Sequence, residues 1–264
     1  MKRISFVIES LHHGGAEKSL ITLLNLLDYN ILQVDLILFK KGGEFEKFVP
    51  KEVTIRYKDP FQKINIIKKT YFRLKFWLIK NYMNKKKLHD AQIYWKVFGK
   101  YIEKHQLIYD VAIAYNQGLS TYYVSDKINA SKKYAWLNTD YRKAGYVAAF
   151  DYAMYSKYKK IICVSKENES SFNKANDLIG KILPTYIIKD ITDSLLVKKM
   201  SLENTDFKMD INQINILTVG RLAKAKGIHL AIEACKILKS KGIKLKWYVI
   251  GEGPERNELE KRIN

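Results

Sequence analysis

Residues 214–254 read INILTVGRLAKAKGIHLAIEACKILKSKGIKLKWYVIGEGP, and this stretch decides the fold class. Two apolar runs, 214–219 and 245–250, predict strands. Between them, 228–241 repeats apolar residues at helical spacing. A strand, a helix and a strand in this order form a βαβ unit with parallel strands, so the sequence predicts an α/β protein.

The same alternation recurs toward the N-terminus. Strands are predicted at 3–8, 34–39, 53–57, 110–114, 133–137, 160–164 and 184–188, with helices at 16–27, 91–105, 146–158 and 166–174. The stretch 190–213 is polar and has no period. We therefore expect an N-terminal parallel-sheet domain at 1–195, a linker at 196–212 and an incomplete second domain at 213–264.

The charge balance favours anionic partners. Lysine and arginine number 47 against 27 acidic residues, which gives a formal net charge of +20. An alternative is the lysine- and tyrosine-rich composition of an AT-rich genome. The chain has no recognised nucleic-acid-binding motif, so we do not expect nucleic acid as a partner.

The sequence also predicts the cellular compartment. Cys163 and Cys235 each lie in an apolar stretch, which indicates buried free thiols and a reducing cytoplasm. The apolar run near the N-terminus is short and holds Glu9, so it predicts a first strand and not a signal peptide.

Arg221 and Lys226 bracket the turn after the strand 214–219. Ligands of open α/β sheets bind at the carboxyl ends of strands, and two cations there suit a diphosphate. Lys224 lies beside them, so an ordinary solvated lysine-rich turn explains the pattern equally well.

Two glycine turns offer further contacts for a nucleotide. Gly14 and Gly15 lie where the first strand leads into a helix, which lets backbone N–H groups approach an anion, although an ordinary tight turn has the same composition. Gly251, Glu252 and Gly253 precede a proline that suits a helix start. This turn has two interpretations: it allows close approach of a nucleotide, or it is an ordinary turn with good helix capping.

Other polar residues follow predicted strands. Asn116 and Gly118 come after strand 110–114, and Asn138 follows strand 133–137, so all three are candidates for the same cleft. His12 and His13 are weaker candidates for acid or base groups, because loop histidines are more often without such a role.

The segment 61–89 combines nine basic residues with interleaved aromatic and aliphatic ones and no acidic residue. A helix or helical hairpin is predicted. Such a surface suits an anionic membrane, whereas a hairpin with a packed apolar face and a solvated basic face is the alternative.

Several motifs together resemble glycosyltransferase family 4, the retaining enzymes of GT-B fold. The resemblance rests on motifs spread from the first loop to the end of the chain: Gly14-Gly15-Ala16-Glu17-Lys18, Tyr134-Ala135-Trp136-Leu137, Cys163-Val164-Ser165-Lys166, Val219-Gly220-Arg221-Leu222 with Lys226-Gly227, and Gly251-Glu252-Gly253-Pro254-Glu255-Arg256.

The resemblance implies two Rossmann-like domains, the second represented here by its first βαβ unit. It implies a nucleotide-sugar donor as substrate, with Arg221 and Lys226 neutralising the diphosphate without a metal or other cofactor, and Gly14 and Gly15 bordering it. Gly251, Glu252 and Gly253 would contact the nucleotide, and Asn116 and Gly118 would lie on the acceptor side. The acceptor would be a polysaccharide or a lipid-linked molecule, with the enzyme cytoplasmic or on the inner membrane face.

Two departures bear on activity. Asn138 stands where the family commonly has a histidine linked to the reacting sugar, and an amide is neither an acid nor a base near neutral pH. The family's paired glutamates lie beyond residue 264, so we expect impaired activity from truncation. The competing hypothesis is a non-catalytic remnant that binds a membrane or a partner chain.

Overall fold

A computed structural model describes residues 1–12, 14–58, 66–194, 198, 201–202 and 209–263. The chain divides into two compact units, Met1–Ser194 and Leu195–Asn264. Most of the expected linker at 196–212 lies outside the described residues. His13 and residues 61–65 of the basic segment lie outside them as well.

The first unit holds a seven-stranded parallel sheet in the order β3-β2-β1-β4-β5-β6-β7. Its central strands are apolar runs buried on both faces, as parallel sheets covered by helices require. The strands are β1 Lys2–Ile8, β2 Leu32–Leu38, β3 Thr54–Tyr57, β4 Ile108–Ala114, β5 Asn129–Leu137, β6 Lys160–Cys163 and β7 Thr185–Ile187.

Helices connect these strands. They are α1 Gly15–Asn25, α2 Ile66–Leu78, α3 Asp90–Phe98, α4 Leu119–Lys127, α5 Ala148–Tyr155 and α6 Lys166–Asp177. A short 3₁₀ helix covers Glu46–Phe48, and a π-helical turn, Ile79–Met83, continues α2. The sequence did not predict α4, and α3 ends well before the predicted residue 105.

Two apolar clusters account for most of the core of the first unit. In one, Leu20 and Leu24 of α1 pack with Phe6 and Ile8 of β1. The other is rich in tyrosine; its largest members include Tyr122, Tyr141, Tyr155, Tyr158 and Phe172. Cys163 is buried in this second cluster as a free thiol, as predicted, whereas Cys235 of the second unit is free but only half-buried.

A buried carboxylate joins three of the helices around the second cluster. Asp151 of α5 accepts hydrogen bonds from Gln92 Nε2 (2.8 Å), Tyr122 OH (2.7 Å) and Tyr141 OH (2.6 Å). Burial raises the pKa of Asp151 to about 6, although the three donors partly oppose the shift. This part of the core therefore contains a group that titrates in mildly acidic solution.

The second unit contains a two-stranded parallel sheet of β8 Ile214–Val219 and β9 Leu245–Ile250. Both strands have the predicted bounds. Helices α7 Ile228–Ser240 and α8 Arg256–Ile263 follow them. The small core comprises Leu222, Ile228, Ile232 and Leu259, with Trp247 packed against it. Leu217 and Val219 of β8 stay exposed, so the described residues leave part of this sheet uncovered.

Candidate functional site

The strand order of the first sheet reverses at β1, because β2 lies on one side of it and β4 on the other. Such a switch point opens a crevice at the carboxyl ends of the two strands, where open α/β sheets bind their ligands. The loops that begin at Glu9, Tyr115 and Asn138 all leave the sheet at this edge.

A cleft of about 450 Å³ lies at this switch point. It is lined by Glu9, Gly15, Ala16, Glu17, Asn116, Gln117, Asn138, Thr139 and Tyr146. The fold thus brings together Gly15, Asn116 and Asn138, which the sequence proposed from three separate loops. Gly14 and Gly118 are not among the lining residues.

Gln117 organises the floor of the cleft. Its Nε2 donates to the carbonyl oxygen and the hydroxyl of Thr139, each at 2.9 Å, and its Oε1 accepts from the backbone N–H of Asn138 at 3.0 Å. Asn138 Nδ2 donates to the carbonyl oxygen of Tyr115 at 2.5 Å. The loops after β4 and β5 are therefore locked together.

Asn116 and Asn138 each keep one acceptor unused. The Oδ1 atoms of both side chains have no hydrogen-bond partner within the described part of the chain. A buried acceptor without a partner is costly, so a hydrogen-bond donor from a ligand would stabilise it. Asn138 can orient a ligand in this way, but its amide cannot transfer a proton.

Gly118 does not line the cleft, but its lack of a side chain leaves room for Tyr146, which does. Its φ of 85° lies in the left-handed region, and a Cβ there would lie 3.0 Å from both Tyr146 OH and Ala91 Cβ. Gly118 therefore permits Tyr146 to reach the cleft. His89, the N-cap of α3, stacks on the Tyr146 ring at 4.1 Å between centroids.

Glu17 occupies the amino end of α1. Its Oε2 lies 2.0 Å from where a Cβ on Gly14 would be, so this carboxylate rests directly on the glycine. Burial raises the pKa of Glu17, and a hydrogen bond from its own backbone N–H opposes this. The predicted phosphate position beside Gly14 already faces an acidic group of the chain.

Glu9 is a cleft residue that the sequence analysis missed. Burial raises the pKa of its carboxyl, Lys40 lowers it, and the like charge of Glu17 raises it again. The backbone N–H of Leu119, at the start of α4, hydrogen-bonds to it. Glu9 directly follows β1, so the rule that ligands meet strand ends could have found it.

The lining of the cleft is rich in acceptors and has no lysine or arginine among the described residues. Two carboxylates and two free amide oxygens suit hydroxyl groups, which donate hydrogen bonds. They do not suit a phosphate.

In the second unit, Arg221 and Lys226 lie on the turn after β8, as predicted. Lys226 ends a short 3₁₀ helix, and Gly227 turns the chain into α7 with a φ of 67°. Both cationic side chains are exposed, and no carboxylate in the described residues pairs with either. Their charge is available to an anion.

Gly251 and Gly253 have a structural role in this unit. A Cβ on Gly251 would lie 1.8 Å from the carbonyl oxygen of Gly220, and one on Gly253 would lie 2.2 Å from that of Leu222. Backbone hydrogen bonds from Gly220 to Ile250 (3.0 Å) and from Leu222 to Glu252 (2.9 Å) hold the two turns together. The close approach of another loop accounts for both glycines without a ligand.

The side chain of Glu252 is exposed and pairs with Arg256, the first residue of α8. The contact of Glu252 with a nucleotide stays a prediction, because the partner of its carboxylate in the structure is Arg256.

Comparison with known proteins places this second unit. A family model described as "Glycosyl transferases group 1" matches residues 203–264. Residues 203–264 are thus similar to the group 1 glycosyltransferases. This match agrees with the resemblance drawn from the motifs around Arg221 and Gly251.

Two curated relatives are named as glycosyltransferases of colanic acid and amylovoran biosynthesis. The chain is 33% identical over 76 residues to the "Putative colanic acid biosynthesis glycosyltransferase WcaL" of Escherichia coli, a match that covers 27% of this chain and 19% of that protein. The "Amylovoran biosynthesis glycosyltransferase AmsK" of Erwinia amylovora is also 33% identical over 76 residues, with the same coverage. The match therefore spans about a fifth of the length of these relatives.

Solved structures support the fold. TarM of S. aureus superposes with a TM-score of 0.59 at 12% identity, over 100% of this chain and 74% of TarM. A glycosyltransferase from Rickettsia africae gives a TM-score of 0.52 at 17% identity, over 99% of this chain and 64% of that one. The predicted GT-B type of α/β fold is confirmed.

The described residues contain neither a bilayer-spanning helix nor a cluster of metal-binding side chains. No helix there is long and apolar enough to cross a bilayer. No group of three or more histidine, cysteine, aspartate or glutamate side chains there is arranged to hold a metal ion.

Proposed function

We propose that this group 1 glycosyltransferase chain takes part in the transfer of a sugar from a nucleotide-sugar donor, with retention of configuration, to a polysaccharide or lipid-linked acceptor. The unpaired cations Arg221 and Lys226 carry the proposal, because they lie at a strand end within the residues that match the family. One of the TarM structures is a complex with UDP, which agrees with a nucleotide donor.

The two cations would act on the leaving diphosphate. Negative charge on the diphosphate grows as the glycosidic bond breaks, so cations held beside it stabilise the transition state more than the ground state. Arg221 offers a planar pair of donors and Lys226 a point charge. This electrostatic work requires no metal from the protein.

The cleft of the first unit would hold the acceptor. Its acceptor-rich lining suits sugar hydroxyls, with Asn116 and Asn138 presenting oxygens that lack partners. Asn138 would then orient a reactant and would not exchange a proton with it.

Calorimetric titration of the chain with UDP and GDP tests the donor site. We expect Arg221→Gln and Lys226→Gln each to weaken binding about tenfold, since a hydrogen bond to a charged group contributes about 1.5–3 kcal/mol. Lys241→Gln is the matched control, because Lys241 is an exposed cation at the far end of α7. Equal affinity for the wild type and both variants would remove the proposal.

Membrane or partner binding is a second candidate function, favoured by the surface of α2 and the turn after it. Phe72 is the one residue of α2 that is fully buried. The exposed apolar side chains of this surface are Ile66, Ile67, Tyr71, Leu74, Trp77, Leu78, Tyr82 and Met83. Packing against α3 buries Phe72 and part of Phe76 and Ile79, but leaves these other side chains exposed. Aromatic and basic residues side by side suit the interface of an anionic bilayer.

Flotation with phosphatidylglycerol vesicles tests this surface. Replacing Lys85, Lys86 and Lys87 together by glutamate should abolish binding, because each lysine near an anionic surface contributes about 1 kcal/mol. The control variant reverses three exposed lysines elsewhere, Lys51, Lys132 and Lys159, and so changes the net charge equally. Loss of binding in both variants would point to net charge and not to this surface.

A further inference from the structure

A second groove, of about 480 Å³, lies at the same sheet edge as the cleft. Its lining comes from the loop after β5 and from helix α6: Asp140, Arg142, Lys143, Glu167, Ser170, Ser171 and Lys174. Thr139 lines the cleft and Asp140 lines the groove, so the two depressions are consecutive along one loop.

The α6 side of the groove is a single helix face. Glu167, Ser170, Ser171 and Lys174 follow each other at intervals of three, one and three residues, which places them along one stripe. Hydrogen bonds from Ser171 to Asp140 and from Arg142 to Ser171 join this stripe to the loop after β5.

Asp140 builds the other side. Its carboxylate accepts hydrogen bonds from the backbone N–H groups of Arg142 (3.1 Å) and Lys143 (3.0 Å) and from the hydroxyl of Ser171. The backbone N–H of Arg142 also donates to Ser171 Oγ at 3.1 Å. These bonds fix the backbone that carries the two cations and join it to α6.

The acidic groups of the groove are already satisfied within the chain. Hydrogen bonds, first from the backbone N–H of Lys143, lower the pKa of Asp140. A hydrogen bond from its own backbone N–H lowers the pKa of Glu167, with help from the Ser165 hydroxyl. Both carboxyls are therefore ionised and occupied near neutral pH.

The cations are not satisfied in the same way. Lys143 has a long ion pair with Asp140, at 3.8 Å. Neither Arg142 nor Lys174 has a carboxylate within ion-pair distance anywhere in the described ranges. Two positive charges and the exposed hydroxyl of Ser170 thus face one concave surface.

We propose that this groove binds a phosphate or pyrophosphate group of the acceptor, next to the cleft that takes the acceptor's sugar. An arginine fork and a lysine suit phosphate oxygens, and the fixed loop lowers the entropy lost on binding. The adjacent cleft has the opposite character, since its lining offers carboxylates and amide oxygens. Groove and cleft together select a sugar attached to an anion.

That the bound phosphate belongs to the sugar acceptor rests on the proposed function. The test of phosphate binding at the groove does not require sugar transfer. Inorganic pyrophosphate is titrated into the ¹⁵N-labelled chain, and chemical shifts are followed residue by residue. We expect saturable shifts at 140–143 and 170–174. Arg142→Gln and Lys174→Gln should each weaken binding at these residues about tenfold.

Lys159→Gln is the control, because Lys159 is an exposed cation that precedes β6 and so lies at the opposite sheet edge. Equal weakening by this variant, or shifts confined to the turn at 221–226, would overturn the proposal. Binding of phosphatidylglycerol vesicles but not of pyrophosphate at 140–143 would also overturn it. A UDP titration in the same samples reports separately on the donor site.

Discussion

The seven-stranded sheet and the two-stranded sheet position their polar residues by different means. In the first unit, side chains lock the loops together, as Gln117 does by bonding to Asn138 and Thr139. In the second unit, two glycine turns lie backbone against backbone, and the cations project from them. The large core of the first unit supports a polar network, whereas the small core of the second relies on contacts that a single methyl group would break.

The difference extends to titration. The carboxyl of Asp151 is buried in the first unit and has a raised pKa, whereas all the buried side chains described for the second unit are apolar. Changes of pH in the mildly acidic range should therefore act on the first unit, and changes of backbone volume should act most strongly on the second.

Gly251→Ala should have the largest effect. The new Cβ would meet the Gly220 carbonyl oxygen at 1.8 Å, and separation of the turns would break two backbone hydrogen bonds. We expect the free energy of unfolding of the second unit to fall by about 3 kcal/mol or more. Hydrogen exchange at residues 214–219 and 245–250 measures this change. Gly220→Ala is the matched control, because a Cβ there meets nothing within 4 Å. Equal exchange rates in the two variants would contradict the close contact between the turns at Gly220 and Gly251.

Asp151→Asn should have the next largest effect, confined to the first unit. Burial raises the pKa of Asp151 from its ordinary value of 3.8 to about 6 in the folded chain. The folded state therefore binds more protons between these values, so this carboxylate lowers stability as pH rises from about 4 to about 6. The free energy of unfolding of the variant, relative to that of the wild type, should therefore rise by on the order of 3 kcal/mol between pH 4 and pH 7.

Urea unfolding followed by hydrogen exchange in α5 checks this at several pH values. Asp177→Asn, an exposed change at the end of α6, should show no such trend relative to the wild type. A stability difference between Asp151→Asn and the wild type that stays constant with pH would contradict the argument.

His89→Ala should have the smallest effect. His89 Nδ1 accepts the backbone N–H of Ala91 at 3.1 Å as the N-cap of α3, and loss of a cap costs about 1 kcal/mol. Burial lowers the pKa of His89, so the cap's contribution is present above the unfolded pKa and is lost as pH falls below about 6.5. His89→Asn should keep the cap and remove its pH dependence. Melting temperatures at pH 5.5 and pH 7.5 decide between these outcomes.

The fold was largely predictable, because parallel strands buried on both faces are continuous apolar runs. Strands β8 and β9 have the predicted bounds for this reason. Helix α4 was missed because its sequence, LSTYYVSDK, mixes polar, β-branched and aromatic residues and has almost no amphipathic pattern. Its buried face is set by tertiary contacts that no local pattern records.

The candidate site was predictable only at strand ends. Asn116 and Asn138 were found because they follow strands, and Glu9 could have been found by the same rule. Tyr146 could not, since it reaches the cleft through the fold of the loop after β5 and the space left by Gly118. The packing role of Gly251 and Gly253 depends on a distant turn, which sequence spacing does not reveal.

The carboxylate of Glu17 beside Gly14 has a consequence for any anion that approaches helix α1. The partial positive charge at a helix amino terminus is already used by a group of the chain itself. A phosphate can bind at this helix end only if it displaces the Glu17 carboxylate. A free phosphate should therefore bind this helix end more weakly than it would bind one without the carboxylate.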